Sequence, residues 1–247
     1  MKTYYGQHGE DVLLELFSPQ EKGFFMEVGA LDGLRFSNTY IFEEKGWEGV
    51  CVEAHPVFSN LLSRNRECNT YHCAVSDQNG NKIFYANDRG TYSTLDVNRH
   101  KEFARKLSKH YPELNKYNKI EVPSNTIDFI LEKFNIENID IISIDVEGTE
   151  YQALKGFNIE KYNPKIIVVE VADKKEYDKM CKLLKTFGYF TIAQMKVNVF
   201  FAKDRSLVDR VPDKEIEFKL KHCSHPNDSG VNNSFMSKAN FRKYLRI

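Results

Sequence analysis

The chain has 247 residues, with 35 lysines plus arginines balanced by 35 aspartates plus glutamates, so no global field draws it to nucleic acid or to an anionic membrane. The length suits one α/β domain with an appendage and argues against two full domains. No segment reaches the ~18 to 20 apolar residues of a membrane helix, and the first 22 residues hold no apolar run fit for a signal peptide. Five cysteines with no CxxC pair fit reduced thiols, and a soluble cytoplasmic protein is the expectation.

In chain order, short apolar runs rich in β-branched and aromatic residues alternate with longer amphipathic stretches, the pattern of βαβ units around a largely parallel sheet. A first strand at 24–28 runs into Glu27-Val28-Gly29-Ala30-Leu31-Asp32-Gly33, and a helix is expected over 37–45. A second strand at 49–53 ends on Glu53, and Pro56 opens a helix over 56–66. A third strand at 70–75 leads to Ser76 and Asp77. From 79 to 122 the pattern breaks: 82–86 reads as extended, 87–90 as a turn, and 99–119 as a basic helix until Pro112. This stretch is expected as an insertion over the mouth of the sheet.

A helix at 126–135, strands at 140–145 and 165–171, and a helix at 174–187 follow. Two extended runs, 189–197 and 198–202, then leave no room for a crossover helix and should pair as an antiparallel hairpin. The expected class is α/β and Rossmann-like: a mostly parallel seven-stranded sheet ending in an antiparallel hairpin, the layout of class I methyltransferases. The domain is expected over 1–203, with 204–247 as a polar C-terminal extension packing on it.

Ligands of an open parallel sheet bind at the carboxyl ends of its strands, where a glycine turn lets backbone approach them closely. Gly29 and Gly33 mark such a turn, but Leu31 stands at the middle glycine of the dinucleotide fingerprint and a pyrophosphate fits poorly. Glu53 follows Gly33 by 20 residues, the interval at which an acidic side chain accepts from ribose hydroxyls. An adenosine ligand without a diphosphate points to S-adenosylmethionine. Asp77 can accept from the adenine amino group and Ser76 can bond a ring nitrogen; alternatively 77–80 is only a turn.

These residues resemble the FkbM-type methyltransferases, S-adenosylmethionine-dependent enzymes that mostly O-methylate sugars and other hydroxylated small molecules. The similar pieces are Gly6-Gln7-His8-Gly9-Glu10-Asp11, 23–30 with Asp32-Gly33, Ser37-Asn38-Thr39, 46–56, 143–150 with Leu154-Lys155-Gly156, and 164–170. The resemblance implies that Glu27, Gly29, Gly33 and Glu53, with the adjoining Ala30 and Ala54, line the cofactor, with Gln7 and Asn38 nearby. It also implies an acceptor such as a nucleotide-sugar or a capsular or surface-glycan unit, with no nucleic acid and no membrane span.

Methyl transfer to an alcohol needs an aligned acceptor and a group to take its proton. Asp145 and Glu170 end adjacent strands, and Glu147 follows Asp145 by two residues, so all three are candidate catalytic groups. Two facing carboxylates either raise one another's pKa toward general-base use or take a divalent metal ion between them, and both roles stay open for Asp145 and Glu170. Asp145 and Glu147 can instead cap the helix that follows. His222 and His225 are weaker metal candidates in a polar tail. Seven basic residues between 99 and 119 (99, 101, 105, 106, 109, 116 and 119) suit either a diphosphate or a solvated face. A nicotinamide-dependent sugar oxidoreductase or epimerase is the competing enzyme class, with Tyr151 and Lys155 at the required spacing. A non-catalytic cofactor-binding scaffold is the third reading.

Overall fold

A computed structural model describes residues 3–210. The extension beyond 210, with His222 and His225, lies outside the described residues. The chain begins with α1 (Glu10–Phe17), β1 (Phe24–Val28), α2 (Tyr40–Glu44), β2 (Glu48–Glu53), α3 (Pro56–Asn65) and β3 (Asn69–His72). It continues through β4 (Ala74–Val75), β5 (Gly80–Asn87), α4 (Val97–His110) and β6 (Tyr117–Asn125). Next come α5 (Ile127–Lys133), β7 (Ile141–Ile144), α6 (Glu150–Lys155), α7 (Ile159–Tyr162) and β8 (Ile166–Glu170). Last are α8 (Lys174–Lys185), β9 (Phe190–Met195), β10 (Asn198–Ala202) and α9 (Ser206–Arg210).

The main sheet has seven strands in the order β3-β2-β1-β7-β8-β10-β9. β3, β2, β1, β7 and β8 are parallel, and β10 runs antiparallel to both β8 and β9, so the hairpin forms as the missing crossover requires. Strand order reverses between β1 and β7, which opens a crevice at their carboxyl ends.

Side chains alternate between two cores, as the two-residue strand period demands. Met26, Val28, Ile142, Ile144, Ile167 and Val169 pack with α5, α6, α7 and α8 on one face. Phe25, Cys51, Ile141, Ile166 and Val168 pack with α1, α2 and α3 on the other. The alternation that puts Phe25 on the second face puts Glu27 and Ser143 there too, buried beneath the crevice.

Three expectations change in detail. The strand expected at 70–75 breaks at Cys73: β3 stays in the main sheet, while β4 joins β6 and β5 in a separate three-stranded sheet. The basic helix stops at His110, and Tyr117 and Lys119 belong to β6, paired antiparallel with β5. The helix expected over 37–45 shrinks to α2, because Ser37, Asn38 and Thr39 spend their hydrogen bonds on Glu27 instead. No helix among the described residues is long and apolar enough to cross a membrane, and all four described cysteines are free thiols.

Candidate active site

A cleft of about 590 Å³ lies over the carboxyl ends of β1, β2, β7 and β8 and under β5 and α4. Its back wall is the glycine turn. Gly29 has φ 84°, and a Cβ there would overlap the carbonyl oxygen of Asp145, so only glycine lets β1 and β7 close on each other at this point. Gly33, at φ 86°, packs against the Arg66 stem and lies outside the cleft lining.

Glu27 lines the cleft, but its carboxylate is already occupied. It accepts from the Ser37 hydroxyl at 2.7 Å, the Asn38 amide at 2.6 Å and the Thr39 hydroxyl at 2.7 Å. Arg66 completes the set at 3.2 Å and reaches on to Glu43 at 2.8 Å, the Gly33 carbonyl at 3.0 Å and the Thr39 hydroxyl at 3.1 Å. This buried ion pair therefore shapes the loop 33–39 and holds Asn38 in place. Asn38 donates to the Ser143 hydroxyl at 3.0 Å, and its side-chain oxygen is buried with no partner.

Glu53 closes β2 inside the cleft, accepting from the Leu31 amide at 2.8 Å and the His55 amide at 2.7 Å. Burial pushes its pKa up to about 7 against those amides. Ala54, Val75 and Phe84 give this end an apolar wall, and Gln7, with His8, closes the cleft from the N-terminal segment. Ser76 and Asp77 lie outside the lining. Ser76 bonds Ser124 at 2.9 Å inside the small sheet, and Asp77 pairs with Lys155 at 3.5 Å.

The floor is acidic. Asp145 follows β7, Glu170 ends β8, and Glu147 sits between them on a turn with φ 56°, followed by Gly148 at φ 109°. Glu150 serves this turn, its carboxylate accepting from the Val146 amide at 3.1 Å and the Gly148 amide at 3.0 Å. Helix α6 has Thr149 at its N-cap with no side-chain capping bond, and neither Asp145 nor Glu147 takes the capping role open to it in the sequence. Burial and then the charges of Glu147 and Glu150 push Asp145 well above the usual carboxylate range. Burial and then Asp145 push Glu170 up to about 10. Burial and Glu170 raise Glu147 against the pull of Arg99. Asp145 and Glu170 share a hydrogen bond that lowers Asp145 and raises Glu170, so Glu170 keeps its proton at neutral pH. Oxygens of Asp145, Glu150 and Glu170 also lie within 4.8 Å of one another.

Opposite this floor, α4 brings Arg99, Phe103 and Lys106 to the cleft, with Tyr92 and Leu95 before them. Tyr151 and Lys155 lie on α6, outside the lining, so the arrangement a nicotinamide enzyme requires does not form. Sequence reasoning missed Arg66 and Glu150. Nothing local marks Arg66, which ends a surface-facing helix, whereas Glu150 after a glycine turn carries the acidic first-turn signal of a helix start.

The protein-family model described as Methyltransferase FkbM domain matches residues 27–191. The chain belongs to this family. It is an S-adenosylmethionine-dependent methyltransferase with the class I architecture described above. Two solved structures resemble it at low identity. Precorrin-6y C5,15-methyltransferase from Geobacter metallireducens is 10% identical with a TM-score of 0.41, over 79% of this chain and 86% of that one. A TehB-like SAM-dependent methyltransferase from Corynebacterium glutamicum is 10% identical with a TM-score of 0.43, over 80% of this chain and 89% of that one. No curated protein matches the chain.

The residues present fit the cofactor. Glu53 offers a buried carboxylate to ribose hydroxyls, Ala54, Val75 and Phe84 an apolar wall to adenine, and the unpartnered Asn38 oxygen an acceptor for the methionine ammonium. When bound, S-adenosylmethionine supplies a methyl group on a sulfonium, which needs no further activation.

Proposed function

We propose that the protein O-methylates a hydroxyl of a sugar, with a nucleotide-sugar or a capsular or surface-glycan unit as acceptor. The observation that carries this reading is the carboxylate floor. Asp145, Glu147 and Glu170 meet at the strand ends, across from α4, where an acceptor oxygen must sit to face the cofactor. In the Asp145–Glu170 pair the shared hydrogen bond raises Glu170 and lowers Asp145, so Glu170 is the donor and Asp145 is left to accept from the acceptor hydroxyl. Glu147, against Arg99 at 3.9 Å, helps to orient the acceptor beside it. Aromatic Phe103 and Tyr92, edge to face at 5.4 Å, offer the apolar surface on which a sugar ring packs.

A divalent cation between Asp145 and Glu170 is the second reading, favoured by the 4.8 Å clustering of their oxygens with Glu150. Such an ion would supply a Lewis acid for the acceptor oxygen. Because Glu150 is engaged with the Val146 and Gly148 amides, the base reading fits the hydrogen bonding better. Exhaustive chelation decides between them: unchanged turnover supports the base, and a loss restored by magnesium or manganese supports the ion.

The O-methylation reading is tested by incubating the protein with carbon-13-methyl S-adenosylmethionine and a panel of sugar phosphates, nucleotide-sugars and neutral oligosaccharides. A methyl carbon at an ether shift in the product spectrum is expected. A product methylated on nitrogen or carbon overturns the reading.

A further inference from the structure

Of the seven basic residues between 99 and 119, only Arg99 and Lys106 line the cleft. They stand seven positions apart on α4 with Phe103 between them, so one helix face presents cation, aromatic ring and cation along roughly 10 Å. Lys101, Arg105 and Lys109 are exposed and outside the lining, whereas Arg99 is half-buried in it and Lys106 is exposed at its rim. The cleft thus receives a selected stripe rather than the general charge of a solvated helix.

The donors of this stripe are largely unspent. The Arg99 Nε is buried without a partner. One terminal nitrogen meets Glu102 at a long 3.3 Å, and the other stands 3.9 Å from Glu147, beyond hydrogen-bond range. The Arg99 stem lies over Gly148, whose missing Cβ leaves it room, and its guanidinium stacks on Phe103 at 4.6 Å, so the fork is held in place while its Nε stays free. Lys106 has no ion pair among the described residues. Arg35 and Arg89 also reach the cleft, but from the glycine-turn side, away from the carboxylate floor; Arg35 donates to the Arg89 carbonyl at 3.1 Å, and its Nε, like that of Arg99, is buried without a partner.

We propose that Arg99 and Lys106 form an anion clamp for a phosphate or diphosphate carried by the acceptor sugar, whose ring packs against Phe103 and Tyr92. A planar fork beside a separate point charge matches a group with several oxygens and more than one negative charge. A single carboxylate would engage the fork and leave Lys106 idle. The clamp also sets reach: the anion docks on α4, and the ring attached to it lies toward Asp145 and Glu170. It rests on the sugar O-methyltransferase reading and narrows it to phosphate-bearing acceptors over neutral glycans.

The test is calorimetric titration of the full chain, loaded with S-adenosylhomocysteine, with inorganic pyrophosphate, glucose 1-phosphate, UDP-glucose, glucuronate and glucose. Pyrophosphate and the phosphorylated sugars are expected to bind, with the anion tenfold or more weaker in Arg99→Ala and Lys106→Ala and S-adenosylhomocysteine binding within about twofold of wild type. Arg105→Ala, the same loss of charge on the outward face, should leave anion binding unchanged. A preference for UDP-glucose over glucose 1-phosphate marks a diphosphate site, and the reverse a monophosphate site. Glucuronate binding as tightly as glucose 1-phosphate, or anion binding indifferent to both α4 variants, overturns the clamp. Oxygen methylation of a neutral glycan with unaltered kinetics in those variants removes the clamp and keeps the O-methyltransferase reading. An N-methylated product from a phosphate-bearing acceptor, still impaired in the variants, does the reverse.

Discussion

Arg66 is the side chain on which the cofactor loop depends most, because it is the buried cation facing Glu27 beneath 33–39. Replacing Arg66 with methionine leaves Glu27 buried and unpaired, a loss of about 3–5 kcal/mol. Denaturant unfolding of Arg66→Met should show that loss, together with weakened S-adenosylmethionine binding; unchanged stability would mean that the 33–39 loop is held by other contacts. On the proposed reading, Glu53 holds the other end of the cofactor. With charge-assisted bonds at stake, Glu53→Gln is expected to weaken S-adenosylmethionine about 10- to 100-fold in calorimetry. The pH sign follows from the Glu53 pKa of about 7: below it the carboxyl is protonated and accepts poorly, so wild-type affinity should fall as pH drops from 8 to 6, and Glu53→Gln should abolish that slope.

At the scale of elements, the ends of β7 and β8 bring Asp145 and Glu170 together, and the burial of Asp145 beside Glu147 and Glu150 ties the activity to pH. A base must be unprotonated, so kcat/KM should rise with pH as Asp145, held above the usual carboxylate range by burial, gives up its own proton while Glu170 keeps one. Glu170→Leu removes the hydrogen bond that lowers Asp145, and its profile should move to higher pH; an unshifted profile would uncouple Glu170 from the base. The strand ends were legible in the sequence because apolar runs and acidic termini recur with βαβ spacing. Asp145, Glu147, Glu170, Glu53 and Asn38 therefore come out at the cleft. Ser76 and Asp77 do not, because the strand break at Cys73 sends Ala74 and Val75 into the small sheet and carries the residues after them out of the lining, a change of partner that no local pattern records. The helix expected over 37–45 begins late, at Tyr40, for a related reason: the side chains of 37 and 39 bond the buried carboxylate of Glu27, and tertiary hydrogen bonds override local propensity.

Over the whole molecule, a chain of zero net charge concentrates carboxylates in and beside one cleft, and this distribution sets how stability responds to pH. Asp11 and Glu53 each have a folded pKa of about 7, against 3.8 and 4.5 when unperturbed, because burial disfavours their charged forms. Asp145, Glu147, Glu150 and Glu170 are raised as well. The folded protein therefore holds more protons than the unfolded chain. The stability from these groups is full below about pH 4 and is lost as pH rises through 7 and beyond, by about 3 kcal/mol for a carboxyl moved as far as Glu53. Tm should be higher at pH 6 than at pH 8.5, with bound S-adenosylmethionine raising both; a Tm that climbs with pH would contradict the cleft electrostatics. Composition foretold none of this, since equal totals of acid and base say nothing of where each is buried.

The most direct test of the central claim is the turnover of Asp145→Asn beside its affinity for S-adenosylmethionine. Loss of the base predicts kcat down by about a hundredfold or more with cofactor affinity within twofold of wild type. Full turnover in Asp145→Asn would contradict the account, placing the proton acceptor elsewhere in the cleft.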